Sequence, residues 1–210
     1  GPAVSYEAAL ASRLDELDPL CREVLGAVCV APSPVQEAVV AAALDVERPD
    51  LRRATDALGA ARLVTIEQSD GVRYLESHHD RITSLVRSEM GTPEANAILL
   101  LLDQHLVALS GPDDEARIPI LRTLEERAEL GRLLVLAARR AYDQLAFERA
   151  SRLFAEAIEL AVLTPDVERE ARVVGAECLV YDGQLPEAAS SFVVASALEP
   201  DGTARAELLA

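Results

Sequence analysis

Three histidines, three cysteines and a surplus of carboxylates are the side chains of this sequence with the means to do chemistry. Their spacing argues against most of it. The acid pairs Asp113-Asp114 and Glu125-Glu126 are adjacent in sequence on charged helical turns, which makes them solvated faces rather than general acid–base pairs. His79 and His105 lie far apart, with no metal-ligand spacing around either. Cys21, Cys29 and Cys178 show neither paired metal spacing nor a disulfide framework, and read as small buried residues of a cytosolic protein. No Ser-His-Asp or Cys-His arrangement can be argued from positions alone. The sequence contains no lysine, so a Gly-rich phosphate loop ending in Lys-Ser/Thr is impossible. The chain reads as non-catalytic, without catalytic residues, a bound metal or a cofactor of its own.

The charge narrows the partners. All 20 basic residues are arginines, set against 36 acids, for a net charge of -16. Affinity for phosphate backbones comes from cation-driven counterion release, so nucleic acid and anionic membranes are not expected as partners. The exclusive use of arginine reflects genome composition. No apolar run approaches the roughly 20 residues that a membrane-spanning helix needs, and no secretory signal is present, so the expected location is cytoplasmic. Gly1-Pro2 reads as the scar of tag removal, with residues 1–4 a tail, which makes the chain an excised piece of a longer protein.

These side chains must be positioned by helices. Half of the residues are apolar and only 3% aromatic, a mixture of Ala, Leu and Val that suits closely packed helices. Leu10, Leu14, Leu17, Cys21, Val24 and Val28 keep to one helical stripe, which Asp18-Pro19 breaks in two with a cap and a first-turn proline. Ser33-Pro34 repeats that start signal and predicts a helix to about Leu44; Pro49 opens another, ending near Gly59. The period then changes. Leu63 to Ile66 and Val72 to Glu76 predict strands joined by the turn Ser69-Asp70-Gly71. Asp80 is the expected cap of a helix carrying Ile82, Leu85 and Val86. Helices, a β-hairpin wing and a further helix predict a winged-helix domain over 5–91. Gly91-Thr92-Pro93 is the expected boundary, since it stops one helix and starts the next. Beyond it, helices are predicted near 93–109, 114–128, 130–143, 146–161, 166–182 and 185–198. The fold class is therefore mainly α: a winged helix with one small β-hairpin, then an antiparallel helical array over 92–210.

That array carries a repeat. A tetratricopeptide (TPR) unit packs two antiparallel helices, with small residues where they come closest and larger ones filling the gaps. Ala150, Phe154 and Ala157 meet this requirement, and so do Ala188, Phe192 and Ala195, 38 residues later. Ala138 and Ala176 stand at the helix-crossing positions, Gly183 occupies the second inter-helix turn, and Pro200 closes the second unit. Such repeats form a surface for a protein partner and hold no catalytic machinery. The acidic composition favours a basic partner. With about two repeats, the array is expected to be truncated at its C-terminal end, leaving the Ala188–Leu198 helix face open to homo-oligomer formation.

The chain from about residue 5 to 200 resembles the region that follows the nucleotide-binding domain in bacterial STAND signal-transduction ATPases, often fused to kinase or LuxR-type DNA-binding domains. The resemblance rests on Leu14-Asp15-Glu16-Leu17-Asp18-Pro19, the hairpin Leu63 to Ser77, His79-Asp80-Arg81-Ile82 and Leu145-Ala146-Phe147-Glu148-Arg149-Ala150. It favours the kinase-fused members. It implies that the intact protein binds ADP or ATP in an upstream domain, and that His79 contacts the ADP phosphate in the resting state. An imidazole N–H can donate to a phosphate oxygen, with Asp80 as its support by capping the next helix. The resemblance assigns no role to His78. The chain departs from the family between Leu121 and Gly131, where many members have a His and an Ala-Gly pair; the His is missing here, which leaves the helix register between 110 and 135 open.

Two alternatives compete with this reading. A DNA-binding winged helix would need an arginine excess, yet Leu44 to Glu76 holds five arginines against seven acids. A stand-alone TPR scaffold would share the interaction function and predict no role for His79. Because the phosphate loop is absent, calorimetric titration of this chain with ADP is expected to show no micromolar binding.

Overall fold

The computed structural model describes residues 6–199. The chain is mainly helical and separates into two compact units that part between Leu124 and Glu125. No helix of the described residues is long and apolar enough to cross a membrane.

The first unit opens with α1 (Tyr6–Asp15) and α2 (Pro19–Val30). Asp18 caps α2, its carboxylate accepting from the Cys21 N–H at 3.0 Å, and Pro19 follows in the first turn. Every residue of α2 from Val24 to Val30 is buried, so this helix is the centre around which the unit packs. Ser33-Pro34 does not start a helix as expected. It leads into a two-residue strand, β1 (Val35–Gln36), and only then into α3 (Glu37–Ala43). A strand this short has no readable period; it exists because Val35 and Gln36 pair antiparallel with Leu75 and Tyr74. After α4 (Arg48–Ala60) come β2 (Val64–Ser69) and β3 (Val72–Ser77), joined by Asp70 and Gly71. Both have positive φ, 51° and 79°, as a two-residue hairpin turn requires. The sheet order is β1-β3-β2, so the expected hairpin gains a third strand. The succession α2–β1–α3–α4–β2–β3 is the order of a winged helix.

Helix α5 (Asp80–Met90) closes that motif, and Arg87 ties it to α2 by donating to the Cys29 and Val30 carbonyls at 2.8 and 2.6 Å. Gly91, at φ 79°, stops α5 as expected. The compact unit does not end there. Helix α6 (Thr92–Ser110) packs against α2 and α3, and buries Leu99, Leu102 and Leu106 in the same core. The 114–128 helix predicted from sequence is instead a 3-10 turn (Glu115–Arg117) running into a short α7 (Ile118–Thr123). Arg117 explains this turn. Its guanidinium is buried and forked onto Asp103 of α6, at 2.8 and 3.0 Å, and it also donates to the Pro112 carbonyl. Ile120 thereby joins the first core.

The second unit consists of α8 (Arg127–Asp143), α9 (Phe147–Glu159), α10 (Pro165–Tyr181) and α11 (Leu185–Leu198). Helices α8 and α9 form one hairpin, α10 and α11 a second, and α9 packs on α10. This is an antiparallel helical array at the period read from the sequence.

Removing one member of a buried ion pair strands the other's charge, whereas replacing both with apolar groups does not. Asp103→Ala is therefore expected to lower stability by about 3 kcal/mol in urea unfolding. The double change Asp103→Leu with Arg117→Met is expected to lose much less.

Candidate functional site

His79 and Asp80 sit where β3 passes into α5. Asp80 does not cap the helix, contrary to expectation. His79 takes the cap position with extended backbone (φ -158°, ψ 138°), and its Nδ1 accepts from the Arg81 N–H at 3.5 Å. Asp80 is the first helical residue, where a negative charge favours the helix N-terminus without capping it. The reason is the strand that precedes it. The Ser77 hydroxyl donates to the His79 carbonyl and the Leu63 carbonyl accepts from the His78 N–H, which holds His79 extended up to the helix start.

The ring of His79 is exposed. An Nδ1 that accepts requires the proton on Nε2, so the histidine presents a single N–H donor away from its own helix. His78, just past β3, pairs its Nδ1 with the Thr65 hydroxyl of β2 at 3.1 Å, a structural contact. Next to His79, a cleft of about 330 Å3 is lined by Ser33, Glu76, Ser77, Asp80, Thr83 and Arg87 among others. A larger cleft of about 600 Å3 lies between α3, α4 and the hairpin. Arg48, Arg52 and Arg73 line it; Arg52 and Arg73 pair with Glu37 at 3.5 and 3.1 Å, and Arg73 also donates to Asp56 at 2.8 Å. Arg53 pairs with Asp50. Three cations of α4 and the hairpin, Arg52, Arg53 and Arg73, are thus paired with acids of the same unit.

The remaining titratable groups point to structure. All three cysteines are buried. Burial pushes the Cys21 and Cys178 thiols up to about 11 and raises that of Cys29, so none is a thiolate nucleophile at neutral pH. Among the described residues, no group of three or more His, Cys, Asp or Glu is placed to hold a metal ion.

In the second unit, the structure brings the repeat residues together. Ala138, Ala150 and Ala157 are buried with Phe154 in the first hairpin, and Ala176, Ala188 and Ala195 are buried in the second. Phe192 is only half-buried, whereas its counterpart Phe154 is covered because α10 lies over α9. Gly183 is exposed and lies at φ 78°, the left-handed turn that glycine adopts freely. Pro200 lies outside the described residues. Sequence reasoning passed over Gly175, where an added Cβ would stand 3.4 Å from the Cβ of Phe154; the adjacent Ala176 was the visible signal. Two polar links also join the hairpins: Arg139 to Glu170 at 2.7 Å, and the Tyr142 hydroxyl donating to Glu177 at 3.1 Å. The second holds the Tyr142 phenol above its usual range.

Comparison with protein-family models, curated proteins and solved structures yields no match, so the functional reading rests on the residues themselves.

Overfilling a close helix crossing costs about 1–3 kcal/mol. Ala150→Leu, at a fully buried crossing, is expected to lose that much in urea unfolding, and Ala155→Leu, on the exposed face of the same helix, to stay within about 0.5 kcal/mol of the parent.

Proposed function

We propose that this chain is a non-catalytic regulatory and interaction region of a STAND-type signalling ATPase. In it, the winged helix relays nucleotide state and the TPR-like hairpins bind a protein partner. The observation that carries the reading is the placement of His79. It is an exposed imidazole held at the junction of wing and helix, with Nδ1 engaged and Nε2–H directed outward. One such donor suits one phosphate oxygen. Asp80 and Glu76 add negative charge nearby, so the rest of an ADP or ATP site must come from the upstream nucleotide-binding domain. In the intact protein, the bound nucleotide supplies the acceptor oxygen. This chain supplies the donor and the rigid helix start that aims it.

A DNA-reading role is less well supported. Phosphate contacts need available cations, and Arg52, Arg53 and Arg73 are paired with acids of their own unit. The paired hairpins support the second half of the reading, because stacked hairpins present side chains of neighbouring repeats on one continuous surface. Partner binding would then shift the rest–active equilibrium by its differential affinity for the two states.

His79→Ala in the full-length protein is expected to raise basal signalling or oligomerisation, read as nucleotide turnover and by size-exclusion chromatography. A resting state identical to the parent counts against the relay.

A further inference from the structure

Four charged side chains line the cleft of about 600 Å3 between α3, α4 and the hairpin, and three of them are arginines: Arg48, Arg52 and Arg73 against Glu37. In a chain of net charge -16 that is a local reversal of sign. Glu37 and Arg73 are a fixed pair. Their side chains are 16 and 11% exposed and stand 3.1 Å apart, and Asp56 holds Arg73 from outside the lining at 2.8 Å. Arg52 is 53% exposed and reaches Glu37 at 3.5 Å. Arg48 has no hydrogen-bond or ion-pair partner among the described residues. With Asp56 included, three guanidiniums meet two carboxylates, which leaves one positive charge over. Asp50 is taken by Arg53, and Glu47 and Asp70 adjoin lining residues in sequence without lining the cleft themselves.

The place of Arg48 is unfavourable for a cation with no anion beside it. It is the first residue of α4, where the helix dipole presents its positive end, and Arg52 follows one turn later on the same face. Like charges four residues apart on a helix repel. An anion between the two guanidiniums turns both effects to advantage. Beside the charges stand apolar side chains, among them Ala38, Ala41, Pro49, Val72 and Leu109, the last 52% exposed. A cleft of this volume, with apolar walls and a few charged groups, has the make-up of a small-molecule site.

We propose that this cleft binds a small organic monoanion, a carboxylate carried on a compact apolar body. The carboxylate lies between Arg48 and Arg52, whose forked donors match its two oxygens, and the body lies along the apolar lining. One positive charge left over suits a monoanion better than a phosphate dianion. The cleft also accepts one carboxylate already, that of Glu37, against two of the same arginines. A single available cation is too few for a duplex, whose affinity grows with the number of phosphates neutralised. The inference goes beyond the nucleotide relay and does not rest on His79.

Naphthylacetate is the probe, with naphthylacetamide as its uncharged counterpart. The chain has no tryptophan, so the naphthyl emission can be followed as the whole chain is titrated. The acid is expected to bind about tenfold more tightly than the amide and to raise the unfolding temperature. Arg48→Gln is expected to weaken the acid about tenfold and leave the amide unchanged. It is also expected to unfold at or above the parent temperature, because the repulsion between Arg48 and Arg52 goes with it. Leu109→Ser is expected to weaken acid and amide alike, and Arg53→Gln, outside the lining, to bind as the parent does. Equal binding of acid and amide, no binding of the acid, or parent-like binding by Arg48→Gln overturns the proposal, as does a fall of several degrees in the unfolding temperature of Arg48→Gln. Displacement of the acid by inorganic phosphate at equal concentration assigns the cleft to phosphate and overturns the carboxylate. Displacement by a DNA duplex overturns the small ligand.

Discussion

Close approach of helices, permitted by alanine and glycine, is the constraint on which the rest of this structure depends. The chain has few aromatic rings with which to fill space, so its cores are made by bringing backbones together. In the second unit, Ala138, Ala150, Ala157, Ala176, Ala188 and Ala195 are all essentially without solvent exposure. One large ring, Phe154, fills the gap they leave, and Gly175 passes directly over its Cβ. In the first unit, Ala27, Ala41, Ala43 and Ala54 do the same for the helices around α2. Interiors packed in this way resist change in volume, because no slack exists to absorb an added methylene.

The polar interactions follow from that packing. Helices that lie close leave little room for water, so charges caught between them are paired: Arg117 with Asp103, Arg73 with Glu37 and Asp56, Arg169 with Glu199. These pairs define geometry more than they add stability, since each must offset the desolvation of both partners. Arg73 is instructive, because it fastens the wing to α3 and α4 with a charge that a DNA-binding wing would present to phosphate.

The same economy shapes the site around His79. Only His78 and His79 separate β3 from α5, so the residue before the helix is held by contacts to the strand region and must also cap the helix. A histidine can serve there because its Nδ1 accepts from the Arg81 N–H. The carboxylate that the sequence offered as cap lies one position too late to serve.

Much of this protein was legible in its residues alone. Helix starts at Asp18-Pro19 and Pro49, the Asp70-Gly71 turn and the 38-residue spacing of the Ala-Phe-Ala pattern are local signals, because each reports the backbone within a few residues of itself. Such signals establish elements and periods. They do not say what packs on what. Gly91 stops a helix, yet the compact unit continues to Leu124, since whether α6 returns to the core is decided by apolar faces distant in sequence. Strand β1 exists only because β3 offers it a partner, and the 3-10 turn at Glu115 follows from a carboxylate on another helix. The choice of His79 over Asp80 as cap was likewise made by contacts from Leu63 and Ser77. Sequence determines this chain's local conformational preferences and its charge; tertiary structure decides which of those preferences survive, because the free energy of burial is collected between segments rather than within them.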